Sequence, residues 1–186
     1  MPPRALLAVL AFLAALLAPH TSAGAEDLQA ADGRIVAALA LLDRGGTTSH
    51  LRQVLDSNAI RIQFMPMSPG VYARYSVARH VVEIDEHWAD ADPSTLAAVI
   101  AHETTHAEDA VSGFLSSGGS ASCVDSEIRA FRASALFWID QYGSAGKAQA
   151  RDDLERQLNL IADRQQRDPR GLEELVRQTY SSQCSH

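Results

Sequence analysis

The sequence predicts an α+β fold, mainly helical, with a small three-stranded sheet packed on one buried helix. Three observations carry that expectation. Residues 59–88 hold three short runs rich in Val, Ile and aromatic residues, separated by turn signals. Long segments on both sides repeat apolar residues at helical spacing. One of them, "STLAAVIAHETTHAEDAV" (94–111), is apolar nearly all round in its first half, as a helix surrounded by protein should be.

The chain has 186 residues, enough for one domain with its own core. Residues 1–25 read as a secretory signal peptide. Arg4 precedes a continuous apolar run (5–18), Pro19 breaks it, and "AGA" (23–25) offers small residues before Glu26. The alternative is an uncleaved anchor, for which the run is short. The remaining single domain, 26–186, has no segment apolar enough to span a bilayer and is expected to be secreted or periplasmic. Its two cysteines, Cys123 and Cys184, most simply form a disulfide in an oxidising compartment. The net charge of −7 argues against nucleic acid as a partner and fits plain solubility. Nothing in the sequence fixes an oligomeric state.

In order along the domain, residues 26–44 read as a helix that stops at Gly45-Gly46, and 49–58 as a second, short one. Alternating Ile60, Ile62 and Phe64 make 59–67 a strand, and Ser68-Pro69-Gly70 marks a turn. Residues 71–78 and 80–88 supply two more strands. Asp92 caps the next helix, and Pro93 fits its first position because no N–H is needed there. Small residues over 112–122 read as a loop. Helices are expected over 124–142, 144–168 and 169–182.

The helix after Asp92 carries His102, Glu103 and His106 as H-E-x-x-H. Four residues along a helix place both imidazoles on one face, where they can reach one ion. Glu103 lies about 100° round, beside such an ion and not on it. Two histidines on a solvent-facing helix would share the spacing, but the apolar "LAAVIA" that leads in argues for burial. Buried polar groups without partners are costly. A catalytic zinc site wants a third protein ligand and one open position. Glu127 is the best candidate, 21 residues after His106 on the following helix; the alternative is a solvated carboxylate near a helix start. Asp125 is a runner-up ligand, or a cap at that helix's entrance. Asp109 shares the histidine face and would support an imidazole N–H or end the helix in solvent. The lone histidines His50, His80 and His87 carry no assigned role.

The residues "HETTH" followed by "SEIRA" resemble the zincin metallopeptidases, in the gluzincin branch. The resemblance covers roughly residues 80–140. It implies zinc (Zn2+) held by His102, His106 and Glu127, with Glu103 as the catalytic general base. It also implies an edge strand, "VVEID", that pairs with an extended peptide or protein substrate. Larger gluzincins often carry an aspartate four residues after the glutamate ligand, where this chain has Phe131. The metzincin extension is missing, because Asp109 and Ser112 stand where it needs Gly and His. The activity implied is hydrolysis of peptide bonds, with an oxyanion donor drawn from Tyr142, Tyr180, His80 or His186. The rival expectation is a non-catalytic metal- or peptide-binding protein on the same scaffold.

Overall fold

In the computed structural model, residues 33–117, 119–143 and 146–185 are described. The proposed signal peptide, the first residues of the first helix and His186 lie outside them. The described chain runs α1 (Gly33–Arg44), α2 (Ser49–Ser57), β1 (Arg61–Met65), β2 (Ala73–Ser76), β3 (Val81–Asp85), α3 (Pro93–Val111), α4 (Phe114–Ser117), α5 (Ser120–Tyr142), α6 (Asp153–Arg167) and α7 (Pro169–Tyr180). It is mainly helical with one small mixed sheet, the expected α+β class.

The pillar of the fold is α3. Asp92 caps it by accepting a hydrogen bond from the Ser94 N–H, and Pro93 opens it. Residues 94–107 are buried on every side. The helix is enclosed by α1, by α5 and by the sheet. Leu96 and Ile100 are fully buried, and burying each stabilises the fold by roughly 1.5–3 kcal/mol. The outer helices show one apolar stripe apiece: Ile35, Ala38 and Leu42 on α1, Leu154, Leu158 and Ala162 on α6, Leu172, Val176 and Tyr180 on α7.

The sheet order is β1-β3-β2, with β1 parallel and β2 antiparallel to β3. This corrects the expectation that 81–85 is an edge strand: β3 is the central strand. Its composition explains the placement. Val81, Val82, Glu83 and Ile84 are all buried, as a strand covered on both faces and both edges requires. Glu83, wholly buried, is neutralised by Arg74 (2.6 Å) and Arg79. The edge beside α3 is β2. The Tyr72 carbonyl accepts the Asp85 N–H at 2.9 Å, so Tyr72, Arg74 and Ser76 turn their backbone groups toward β3. Ala73 and Tyr75 therefore turn theirs to the outer edge.

Other boundaries shift for local reasons. α5 begins at Ser120, four residues before the expected start, because Gly119 takes φ 58°, a conformation that a side chain would strain. Asp125 thus lies inside the helix, where it pairs with Arg177 (3.1 Å); it is neither a cap nor part of the metal-binding group described below. Residues 114–117 form a short turn of helix inside the expected loop. α6 starts only at Asp153, because Asp152 caps it by accepting from the Glu155 N–H.

Two devices tie the outer helices down. Cys123 on α5 and Cys184 after α7 form the expected disulfide, 61 residues apart. Glu155 on α6 is fully buried. Lys147 (2.7 Å) and Arg151 (2.8 Å) donate to it, and Thr95 on α3 donates at 3.1 Å. Burial alone would raise its carboxyl, but hydrogen bonds from Arg151 and Lys147 prevail and hold it at about 2.

A pKa lowered in the folded state contributes stability above the ordinary carboxylate range and loses it as pH falls toward the folded value. Urea unfolding of wild type and Glu155→Gln should therefore differ most at neutral pH, and the gap should close between about pH 4.5 and 2. Reduction, or the double change Cys123→Ser/Cys184→Ser, should lower the unfolding free energy by about 4 kcal/mol in the same assay.

Candidate metal centre

α3 and α5 pack along their lengths and bring the histidine face of one against Glu127 of the other. His102, His106 and Glu127 each offer one ligand atom, and these atoms all lie within 4.8 Å of one another. The Nε2 atoms of the two imidazoles are 3.2 Å apart. Glu127 reaches both, with Oε2 3.7 Å from His102 Nε2 and Oε1 3.6 Å from His106 Nε2. All three residues are buried, and the group could hold a metal ion.

The protonation preferences fit that use. Burial pushes the His102 imidazole well below its usual range, and His106 beside it adds to the effect. Burial also holds His106 down to about 4. Both rings are therefore neutral, the form that ligates. Burial raises the Glu127 carboxyl well above normal, and the charge of Glu103 raises it further. A dication among these atoms removes the conflict: it accepts both lone pairs and balances both carboxylates.

Glu103 sits beside this group and is not a member of it. It is about 1% exposed, and its Oε1 has no hydrogen-bond partner among the described residues. Burial lifts its carboxyl to about 8, while the Tyr75 backbone N–H favours the ionised form. That contact places the outer edge of β2 against Glu103.

The two imidazoles have different supports. His106 Nδ1 is 2.8 Å from the Ser126 hydroxyl, which also faces Asp109. Asp109 is buried, which raises its carboxyl; Ser126 and Arg129, the latter at 2.5 Å, oppose that rise, and nearby Glu108 adds to it. Asp109 thus lies close to Ser126, which the sequence reading did not single out. His102 meets the Phe131 ring edge-to-face at 4.8 Å, and the Tyr180 ring is tilted against Phe131 at 5.6 Å.

Of the expected oxyanion donors, His186 lies outside the described residues, and the other three are not gathered here. Tyr142 lies 15 residues beyond Glu127 on α5, about 22 Å along the helix. Tyr180 is separated from His102 by the Phe131 ring. His80 is exposed in the β2–β3 turn, 6.5 Å from the Tyr75 ring. Two residues beside the site were also missed, Tyr75 and Arg129. A backbone N–H leaves no trace in residue type, and the value of Arg129 depends on which helix faces it.

Comparison with known proteins finds no matching family model, no matching curated protein and no matching solved structure. No helix among the described residues is long and apolar enough to cross a membrane.

Ligand and support are separable by metal affinity. With Co2+ as the spectroscopic probe, Glu127→Gln should weaken binding at least 100-fold, and Ser126→Ala about 10- to 100-fold. Equal affinity for wild type and Glu127→Gln would remove Glu127 from the centre.

Proposed function

We propose that the protein is a zinc-dependent peptidase of zincin type, secreted or periplasmic, with Glu103 as general base. The reading rests on one observation above all: two buried imidazoles and a buried carboxylate converge from two helices, with the buried carboxylate of Glu103 nearby. Two histidines and one glutamate make a three-ligand set that suits zinc and leaves a position open. The H-E-x-x-H pattern and its downstream glutamate support the resemblance to gluzincins.

A zinc ion held by His102, His106 and Glu127 would supply Lewis acidity, lowering the pKa of water toward about 7 and offsetting charge on the scissile carbonyl oxygen. The chain supplies the rest. Glu103 takes a proton from the attacking water at its uncommitted oxygen and passes it to the leaving nitrogen. Its raised pKa suits a group that must gain and lose a proton in one turnover. Burial keeps bulk water from competing for that proton. The outer edge of β2 is closed at this point, since Ala73 is fully buried, Tyr75 is nearly so, and the Tyr75 N–H meets Glu103.

One observation favours a second reading, a non-catalytic metal-binding protein: His102, Glu103, His106 and Glu127 are at most 8% exposed. Structural zinc sites are closed, though they usually have four protein ligands. Casein-peptide cleavage by zinc-loaded protein separates the two. The peptidase reading expects Glu103→Gln to keep its metal and lose at least 100-fold in rate. Metal retention without cleavage by the wild type would select the binding protein.

A further inference from the structure

The groups of the metal centre are closed to solvent: His102, Glu103, His106 and Glu127 are at most 8% exposed. Neither an ion nor a peptide reaches them while every neighbouring element stays in place, so an element must move for either to enter. α5 is poorly suited to that motion. It packs along α3, Arg129 ties it to Asp109, and Cys123–Cys184 ties its start to the end of α7. β2 is held far less. It has four residues, Ala73–Ser76, and pairs on one side only, with β3. Its ion pair, Arg74 with Glu83, runs to β3 and not to α3. Among the described residues, the polar contact between β2 and α3 is the Tyr75 N–H on Glu103. That seam also carries a defect. Tyr75 Oη and Glu103 Oε1 are both buried without a hydrogen-bond partner among the described residues, a state that costs free energy and that contact with water would relieve.

We infer that β2 is a displaceable cover of the metal centre, latched by the Tyr75 N–H on Glu103, and that ion and substrate enter only while the latch is open. The chain on both sides of β2 permits the motion. Residues 66–72 lie outside any helix or strand and include Pro69 and Gly70, the latter at φ 87°. On the other side the Arg79 N–H returns to the Ser76 carbonyl at 3.3 Å in a tight turn. A swing about the β2–β3 pairing keeps that ladder and the Arg74–Glu83 pair. It gives up the Tyr75 contact with Glu103 and the burial of Ala73 and Tyr75. Part of the loss is returned, because Tyr75 Oη and Glu103 Oε1 then meet water. Opening also frees Glu103 from the Tyr75 N–H, so the contact that shuts the site occupies the very group assigned as general base. The substrate half of this inference rests on the peptidase reading; the entry of the ion does not.

Metal uptake reads the latch without turnover. Metal-free full-length protein mixed with Co2+ by stopped flow should bind at a rate that levels off as Co2+ is raised, because the opening of β2 becomes the limiting step. Tyr75→Phe deletes the unpartnered hydroxyl and keeps the N–H, so it favours the closed state and should lower that plateau roughly fivefold. Tyr75→Pro and Tyr75→Ala both lose the ring, but only proline loses the N–H, at an edge position where no ladder bond is forfeited. Tyr75→Pro should therefore take up Co2+ about tenfold faster than Tyr75→Ala. Uptake that stays linear in Co2+ overturns the inference, as do equal plateaus for wild type and Tyr75→Phe, even where the proline variant does not fold. Equal uptake by folded Tyr75→Pro and Tyr75→Ala overturns it as well. The two readings fail separately. A plateau moved by Tyr75→Phe, with no peptide cleavage by the wild type, sinks the peptidase and keeps the cover. Cleavage by the wild type with linear uptake sinks the cover and keeps the peptidase.

Discussion

Two imidazoles and two carboxylates share a space between α3 and α5 from which water is almost excluded, and the rest of the structure is arranged around that constraint. Without a cation the four groups stay neutral at physiological pH only by shifting their proton affinities far from normal, as the directions at His102, His106, Glu103 and Glu127 indicate. Parting the helices would admit more water. The apolar length of α3, closed in by α1, α5 and the sheet, resists that opening. The same packing that stabilises the core therefore makes the metal centre electrostatically demanding.

The scaffold fixes Glu127 with particular care, because this candidate ligand comes from a second helix. α5 is stapled one turn before it by Cys123–Cys184, which ties the end of α7 to the start of α5. Ser126, the residue just before it, reaches across to His106 Nδ1. Arg129, two residues after it, reaches Asp109 on α3. Three bonds within seven residues of α5 thus set its register, two against α3 and the disulfide against the end of α7. A sliding of one residue along the helix, 1.5 Å, would be felt at all of them.

Most of this was legible where the chemistry is local in sequence. The Asp92-Pro93 start, the buried apolar run and the four-residue histidine spacing follow from helix geometry alone. So does the placement of Glu127 near that face, once a loop between two helices reverses the chain. The order of the sheet is a different kind of fact. Pairing is set by which strand can be buried on both edges, and "VVEID" signalled this through its nearly unbroken apolar run. The signal is blurred by Glu83, a charge that reads as solvent-facing until Arg74 and Arg79 are seen to neutralise it. The helix starts at Ser120 and Asp153 depended on a glycine at positive φ and on a choice among adjacent aspartates. The contacts of Tyr75 and Ser126 with the centre depend on strand parity and helix facing, which residue identity does not encode.

The unequal support of the two imidazoles has an electrostatic logic. Glu103 and Glu127 together match the charge of one dication. Asp109 is buried as well, but Arg129 balances it locally. A further carboxylate against His102, at the position four residues after Glu127, would add an unmatched charge to a site with no water to screen it. Phe131 fills that position with a ring, which packs edge-on against the imidazole and is backed by Tyr180. Phe131 packs on the His102 ring, the Ser126 hydroxyl meets His106 Nδ1, and no further charge is added around the centre. A ring at position 131 is thus compatible with a group that could hold a metal ion, and it accounts for the aromatic column running from α3 through α5 to α7.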